Sequence, residues 1–121
     1  MSNVSKITLE EIKILVTNVF LKQGCNKENA SALANTITKA EEDGSSSHGL
    51  FRVPGYVASL QSGKVNGHAS PKIKQASPVI LKCDADNGFA STAHESSLPL
   101  LADAAKKNGI SVLSIKGCYH F

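Results

Sequence analysis

The chain has 121 residues, of which 41% are hydrophobic and 19% charged, and its formal net charge is +3. That length can bury one real core, and the balance is that of a soluble globular protein. The basic residues are dispersed, no basic-then-apolar leader opens the chain, and no apolar run matches a bilayer, which argues against nucleic-acid and membrane partners and for a cytoplasmic protein.

Thr8 and Glu11 have the spacing of a capping box, in which each side chain bonds the other's backbone N–H. Ile7 and Ile12 have the spacing of a hydrophobic staple. Leu9, Ile12, Leu15, Val16, Val19 and Phe20 then recur at helical spacing, and Gly24 ends the first helix. Asn26 caps a second, with Ala30, Leu33, Ala34, Ile37 and Ala40 facing inward, and Gly44 stops it. A short turn between two helices predicts an antiparallel hairpin. Gly44 to Ser47 is a polar stretch. A third helix is expected to start between Leu50 and Arg52, with Pro54 accepted in its first turn and Gly63 at its end.

From Lys64 to Pro71 the composition shifts to loop residues, which makes this the best boundary. It divides a helical segment, residues 1–64, from the first part of an α/β domain, residues 65–121. Ile73–Ala76 and Val79–Cys83 read as strands broken at Ser77-Pro78, and Asp84–Gly88 as a turn. Residues from about 91 to 108 read as helical. Pro99 is expected to kink or split that helix, with Ser97 placed to cap a second half. Gly109 closes it, and Ile110, Val112, Leu113 and Ile115 form a last strand. The fold class is therefore α/β, or α+β within these residues: a helical hairpin, a third helix, then a mixed sheet with a covering helix.

Cys25, Cys83 and Cys118 are odd in number and far apart, so free, mostly buried thiols are expected. His94-Glu95 opens like a zinc-protease helix, but Leu98 stands where the second histidine is needed. No metal site is expected.

The most informative run is Ser47-His48-Gly49-Leu50-Phe51-Arg52. It sets an imidazole and a guanidinium four residues apart, and on a helix such residues share a face. A histidine can give or take a proton near neutral pH. An arginine offers a planar fork of donors to a carboxylate. Together they can hold a 2-hydroxy or 2-oxo acid and move the proton on its oxygen. Taken alone, such a pair reads as a loop histidine and a solvated arginine.

The frame around the pair changes that reading. Glu42-Asp43-Gly44, Ser47-His48-Gly49, Arg52-Val53-Pro54 and Tyr56 follow in order. Ala104-Ala105-Lys106-Lys107-Asn108-Gly109-Ile110 later leads into Val112–Ile115 and Gly117-Cys118-Tyr119-His120-Phe121. This pattern resembles the malate/L-lactate dehydrogenase family, which also holds ureidoglycolate and sulfolactate dehydrogenases and is distinct from the Rossmann-type enzymes. The resemblance implies an oxidoreductase that moves a hydride between NAD or NADP and a small 2-hydroxy or 2-oxo acid. By the same resemblance, His48 and His120 are the acid/base candidates, Arg52 binds the substrate carboxylate, and Ser47 orients substrate or imidazole. It also implies a homodimer at full length. Family members are far longer, so the chain reads as an N-terminal portion. Most cofactor contacts are then expected beyond Phe121, with His120 a candidate contributor. The absence of G-x-G-x-x-G and of a P-loop among the nine glycines agrees with a fold other than the ordinary Rossmann one. Asp43 reads as a solvated helix-end carboxylate or a partner of His48 or Arg52. His68 and His94 read as surface residues.

Two other functions compete. One is a small non-catalytic module that holds an anion with Arg52 and the serine loop. The other is a hydrolase with Ser46 or Ser47 as nucleophile. It is weak, because no G-x-S-x-G elbow exists and the adjacent Ser47 and His48 are expected to point apart.

Overall fold

The structure, a computed structural model, describes residues 4–119. Helix α1 spans Leu9–Lys22 and α2 spans Lys27–Glu42. Two short 3₁₀ turns, Ser46–His48 and Leu50–Arg52, lead into α3, Val53–Gln61. Strands β1, Lys72–Gln75, and β2, Ile80–Asp84, precede α4, Ala90–Asn108, and β3, Val112–Lys116. The result is the expected α+β arrangement of four helices and a small mixed sheet.

Local signals account for most element ends. The Glu11 amide donates to Thr8 Oγ1 at 3.1 Å, as a capping residue requires. The return bond differs from a full capping box: the Thr8 hydroxyl donates to the Glu11 carboxylate at 3.0 Å. Asn26 caps α2 by accepting from the Asn29 amide at 3.0 Å. Gly109 ends α4 in the left-handed region, at φ 82°, which costs a glycine nothing.

The sheet has the order β1-β2-β3. β1 and β2 pair antiparallel, joined through the Ser77-Pro78 break, while β2 and β3 pair parallel. Parallel neighbours need a crossover, and α4 supplies it. Leu81 and Cys83 of β2 point into the protein, whereas Ile80 and Lys82 point out, the period of two that a half-covered strand shows. Cys83, Ala85 and Ala93 are the buried centre of this layer, with Ile73, Leu113 and Ile115 against them.

The larger core lies between the helices. Ile12, Val16 and Phe20 of α1 meet Ala30, Leu33, Ala34 and Ile37 of α2, with Val65 and Phe89 from the second half of the chain. Leu9 and Leu15, which belong to the apolar periodicity of α1, stay 42% and 51% exposed and so are not core residues. Asn29 is fully buried, and its amide is satisfied on every side. Its Nδ2 donates to Asn26 Oδ1 at 2.8 Å and to the Ala69 carbonyl at 3.0 Å. Its Oδ1 accepts from the Thr92 hydroxyl at 2.7 Å. One side chain thus ties α2 to the loop before β1 and to α4.

The expected split at Pro99 and the expected cap at Ser97 are not found. α4 is one helix across Pro99, not two. Proline removes the N–H that the Glu95 carbonyl would accept, but both residues are exposed, so water can serve that carbonyl. Ser97 does not cap a second half. It is fully buried inside the helix, and its hydroxyl donates to the Ala93 carbonyl at 2.7 Å. Two cysteines are buried, but Cys118 is exposed. Among the described residues, no helix is long and apolar enough to cross a membrane.

Two measurements check this account. Asn29→Ala should lower stability by about 1–3 kcal/mol, because the Thr92 hydroxyl and Ala69 carbonyl lose a buried partner. Chemical denaturation of the two proteins reads this directly, and an unchanged midpoint would deny the network its role. Burial pushes the Cys25 thiol up to about 11, which keeps it protonated at pH 8. A thiol reagent at that pH should label exposed Cys118 and spare Cys25 and Cys83, as read by mass spectrometry of the labelled native protein.

Candidate functional site

The Ser47–Arg52 segment sits on the C-terminal end of α2. Its geometry is not the single helical face that the four-residue spacing suggests. His48 ends one 3₁₀ turn, Arg52 ends the next, and Gly49 is the joint between them. The helix proper begins only at Val53, one residue past the expected window. What joins His48 to Arg52 is hydrogen bonding through Ser47. Arg52 Nε donates to the Ser47 carbonyl at 2.9 Å. The Ser47 hydroxyl lies 2.9 Å from His48 Nδ1. The two side chains therefore do not point apart, contrary to expectation.

This bond has a chemical consequence. A hydroxyl both donates and accepts, so it can serve either tautomer of the ring. When Nδ1 carries the proton, Ser47 accepts it, and Nε2 offers a lone pair to a proton. When His48 is doubly protonated, Ser47 still accepts from Nδ1, and Nε2 has a proton to give. His48 and Ser47 are exposed, and Arg52 is half-buried.

The acidic residues at the end of α2 divide their work. Glu42 and Asp43 both lie on Lys39, at 3.3 and 3.4 Å, so Asp43 pairs there. Glu41 turns the other way, and its Oε1 accepts from the Leu50 amide at 2.8 Å. Gly49 is buried against the same carboxylate, and a Cβ at Gly49 would overlap Glu41's side chain. Sequence reasoning passes over Glu41. Its one signal is a run of three acids at a helix C-terminus, where the dipole disfavours negative charge.

α3 carries the segment onward. Burial raises the Tyr56 hydroxyl's pKa, and the positive Arg52 opposes that rise, which places the guanidinium within electrostatic reach of the phenol. Tyr119, beyond β3, closes on the same helix. Its hydroxyl is hydrogen-bonded to Ser59 at 2.7 Å, its ring meets Phe89 edge-on, and its backbone pairs with Gly88 and Ala90. The other histidine candidate, His120, follows Tyr119 and lies outside the described residues. His68 and His94 are exposed, as expected.

Three glycines make close approaches that can suggest a phosphate cradle. At Gly49, Gly67 and Gly88 the space of a Cβ is filled by Glu41, by the Gly24 carbonyl and by the Ala69 methyl. These approaches are filled by the protein's own atoms, so they serve packing. Among them, no group of three His, Cys, Asp or Glu side chains could hold a metal ion.

Comparison with known proteins adds four findings. The sequence profile of the malate/L-lactate dehydrogenase family matches residues 7–121. A Delta(1)-pyrroline-2-carboxylate reductase of Ancylobacter novellus is 45% identical over 116 residues, 96% of this chain and 34% of that protein. The crystal structure of a delta1-piperideine-2-carboxylate reductase from Pseudomonas syringae pv. tomato superposes with a TM-score of 0.94 at 37% identity, covering 98% of this chain and 36% of that one. A malate dehydrogenase from Pyrococcus horikoshii superposes with a TM-score of 0.88 at 26% identity, covering 100% of this chain and 35% of that one. The chain spans about a third of the length of the relatives it matches. With the family's profile running through both the Ser-His-Gly-x-x-Arg segment and the β3 strand, the chain belongs to the malate/L-lactate dehydrogenase family.

Proposed function

We propose that the whole protein is an NAD- or NADP-dependent reductase of a small cyclic 2-imino carboxylate, and that this chain supplies its carboxylate and proton contacts. The observation that carries this reading is the Arg52–Ser47 hydrogen bond. It fastens a carboxylate-binding guanidinium to the residue that also touches the His48 imidazole. The imine class comes from the pyrroline- and piperideine-carboxylate reductases among the relatives.

In that reaction a carboxylate sits beside a C=N bond. A bound nicotinamide supplies the hydride that goes to the carbon. Arg52 presents its Nη groups to the carboxylate, which fixes the neighbouring carbon and nitrogen in place. The ring nitrogen must end with a proton, and an imidazole at His48 or His120 is suited to give it. Ser47 holds Nδ1 of His48 so that Nε2 is the end that exchanges the proton. The second reading, a 2-hydroxy/2-oxo acid dehydrogenase, uses the same contacts with C=O in place of C=N. The malate dehydrogenase likeness favours it. The two readings separate in one assay of the full-length protein with reduced nicotinamide, by comparing kcat/KM for Δ1-pyrroline-2-carboxylate with that for oxaloacetate and pyruvate. A preference for the oxo acids would overturn the imine assignment. Tight carboxylate binding with no turnover of either class would favour the non-catalytic anion module.

Arg52→Lys keeps the charge and loses the fork. It should weaken the carboxylate substrate by about 1.5–3 kcal/mol, roughly ten- to a hundredfold in KM. The KM for the nucleotide should hardly move. An unchanged KM for the acid would remove Arg52 from the anchor role.

His48→Asn and His120→Asn should differ in kind. At the acid/base position turnover should fall by about 10²–10⁴-fold. At the other, the loss should fall on affinity for substrate or nicotinamide. Turnover intact in both variants would end the pairing.

A further inference from the structure

We infer that Glu41 is the positioning residue of this site: its carboxylate, clamped on the Gly49–Leu50 joint, sets where the His48 imidazole is held. The inference rests on the proposed role of His48 and adds a residue that touches neither substrate nor cofactor.

Between α2 and α3 the chain makes two separate 3₁₀ turns, and a polar loop of this kind has little of its own to fix it. The Leu50 amide opens the second turn, where first N–H groups lack a partner within the turn. Glu41 supplies the partner, nine residues back in the chain and on a different element. The same side chain fills the space beside the Gly49 Cα, so it meets the joint by hydrogen bond and by packing at once. α2, from which it reaches, is the best-anchored helix in the protein, with Leu33, Ala34, Ile37 and Asn29 fully buried. Glu41 therefore transmits the rigidity of the core to a segment whose Ser47 and His48 side chains are exposed.

From the joint, position passes in both directions. On one side lies His48, whose Nδ1 meets Ser47. On the other lies Arg52, whose Nε returns to the Ser47 carbonyl. These bonds close a ring around Gly49, and Glu41 is its polar attachment to the fold, beside the Leu50 and Val53 side chains that pack on the core. Glu42 and Asp43 do not share this task, since both are committed to Lys39. The feature used is an acceptor oxygen at one distance from the α2 backbone. The formal charge is not required, because a neutral amide oxygen accepts the same N–H.

That distinction sets the experiment, made on the full-length protein. Glu41→Gln keeps the acceptor and should keep kcat within about threefold. Glu41→Asp keeps the charge but draws the acceptor back by one methylene, and Glu41→Ala removes it. Both should lower kcat by roughly ten- to a hundredfold, the cost of a misplaced group of about an ångström. In a His48→Asn background the Glu41→Ala change should have no further effect on kcat, because residues acting through one another are not additive. A purely structural role would give losses that add. Amide exchange at Leu50 gives a reading independent of activity: protection should survive in Glu41→Gln and fall at least about tenfold in Glu41→Asp, as an opened hydrogen bond requires. Full activity in Glu41→Asp with loss in Glu41→Gln would show that charge matters instead, and would overturn the inference. So would additive losses with His48→Asn. An inactive wild type would strike the proposed function, while Leu50 exchange unchanged across the three variants would strike this inference alone.

Discussion

A column of four aromatic rings holds the two halves of the chain together. Phe20 of α1 meets Tyr56 of α3 edge-on at 6.1 Å, Tyr56 meets Phe89 at 5.3 Å, and Phe89 meets Tyr119 at 6.2 Å. The chain has only four phenylalanines and two tyrosines, so both tyrosines and half the phenylalanines stand in this one column. Edge-to-face pairs at these spacings are favourable beyond their buried area. The rings come from the first helix, the helix after the Ser-His-Gly segment, the start of α4 and the chain beyond β3. No neighbouring pair of them is near in sequence. The column therefore fixes α3, and with it the exit from Arg52, against the end of the described chain.

The segment that carries His48 and Arg52 is held from its other side by a local conflict. Three consecutive acids close α2, where the helix dipole opposes them. Lys39 answers two of them from within the helix. The third, Glu41, is answered by the Leu50 amide. A helix end that breaks the ordinary charge preference is thus made consistent by the loop that follows it. Places where local preference is overruled are often functional.

Much of this was legible in the residues. Thr8, Asn26 and Gly109 announce helix ends because their chemistry answers unpaired backbone groups, and the Ser77-Pro78 break separates β1 from β2 where ladder donors run out. The period of two in Leu81 and Cys83 marks the face that α4 covers. The Ser-His-Gly-x-x-Arg pattern led to the family. What could not be read depends on contacts between distant residues. Pro99 lies on the side of α4 that faces water, where the carbonyl it leaves without an N–H can meet solvent. Ser97 bonds backward because its surroundings are dry. The helical face expected of His48 and Arg52 is replaced by two turns, the second of which opens with its Leu50 amide on Glu41, a residue of another element. The Ser59–Tyr119 bond joins residues 60 apart in sequence, and no periodicity encodes it.

The arrangement also explains how one segment could serve both imine and carbonyl chemistry within a family. On the proposed reading, both substrates share a carboxylate next to an electrophilic carbon. An arginine whose Nε is already tied to the Ser47 carbonyl has given up rotamer freedom before any ligand arrives, so less is lost on binding. Its direction is set by the backbone rather than by the ligand. The atom that differs, nitrogen or oxygen, needs a proton in either case, and the imidazole–serine pair can hold that proton in either tautomer. Residues that bind what the substrates have in common can stay fixed while the rest of the pocket selects the ring or the open chain. Selection between the two would then rest on the shape around the far side of the substrate, and not on the Ser47–Arg52 segment.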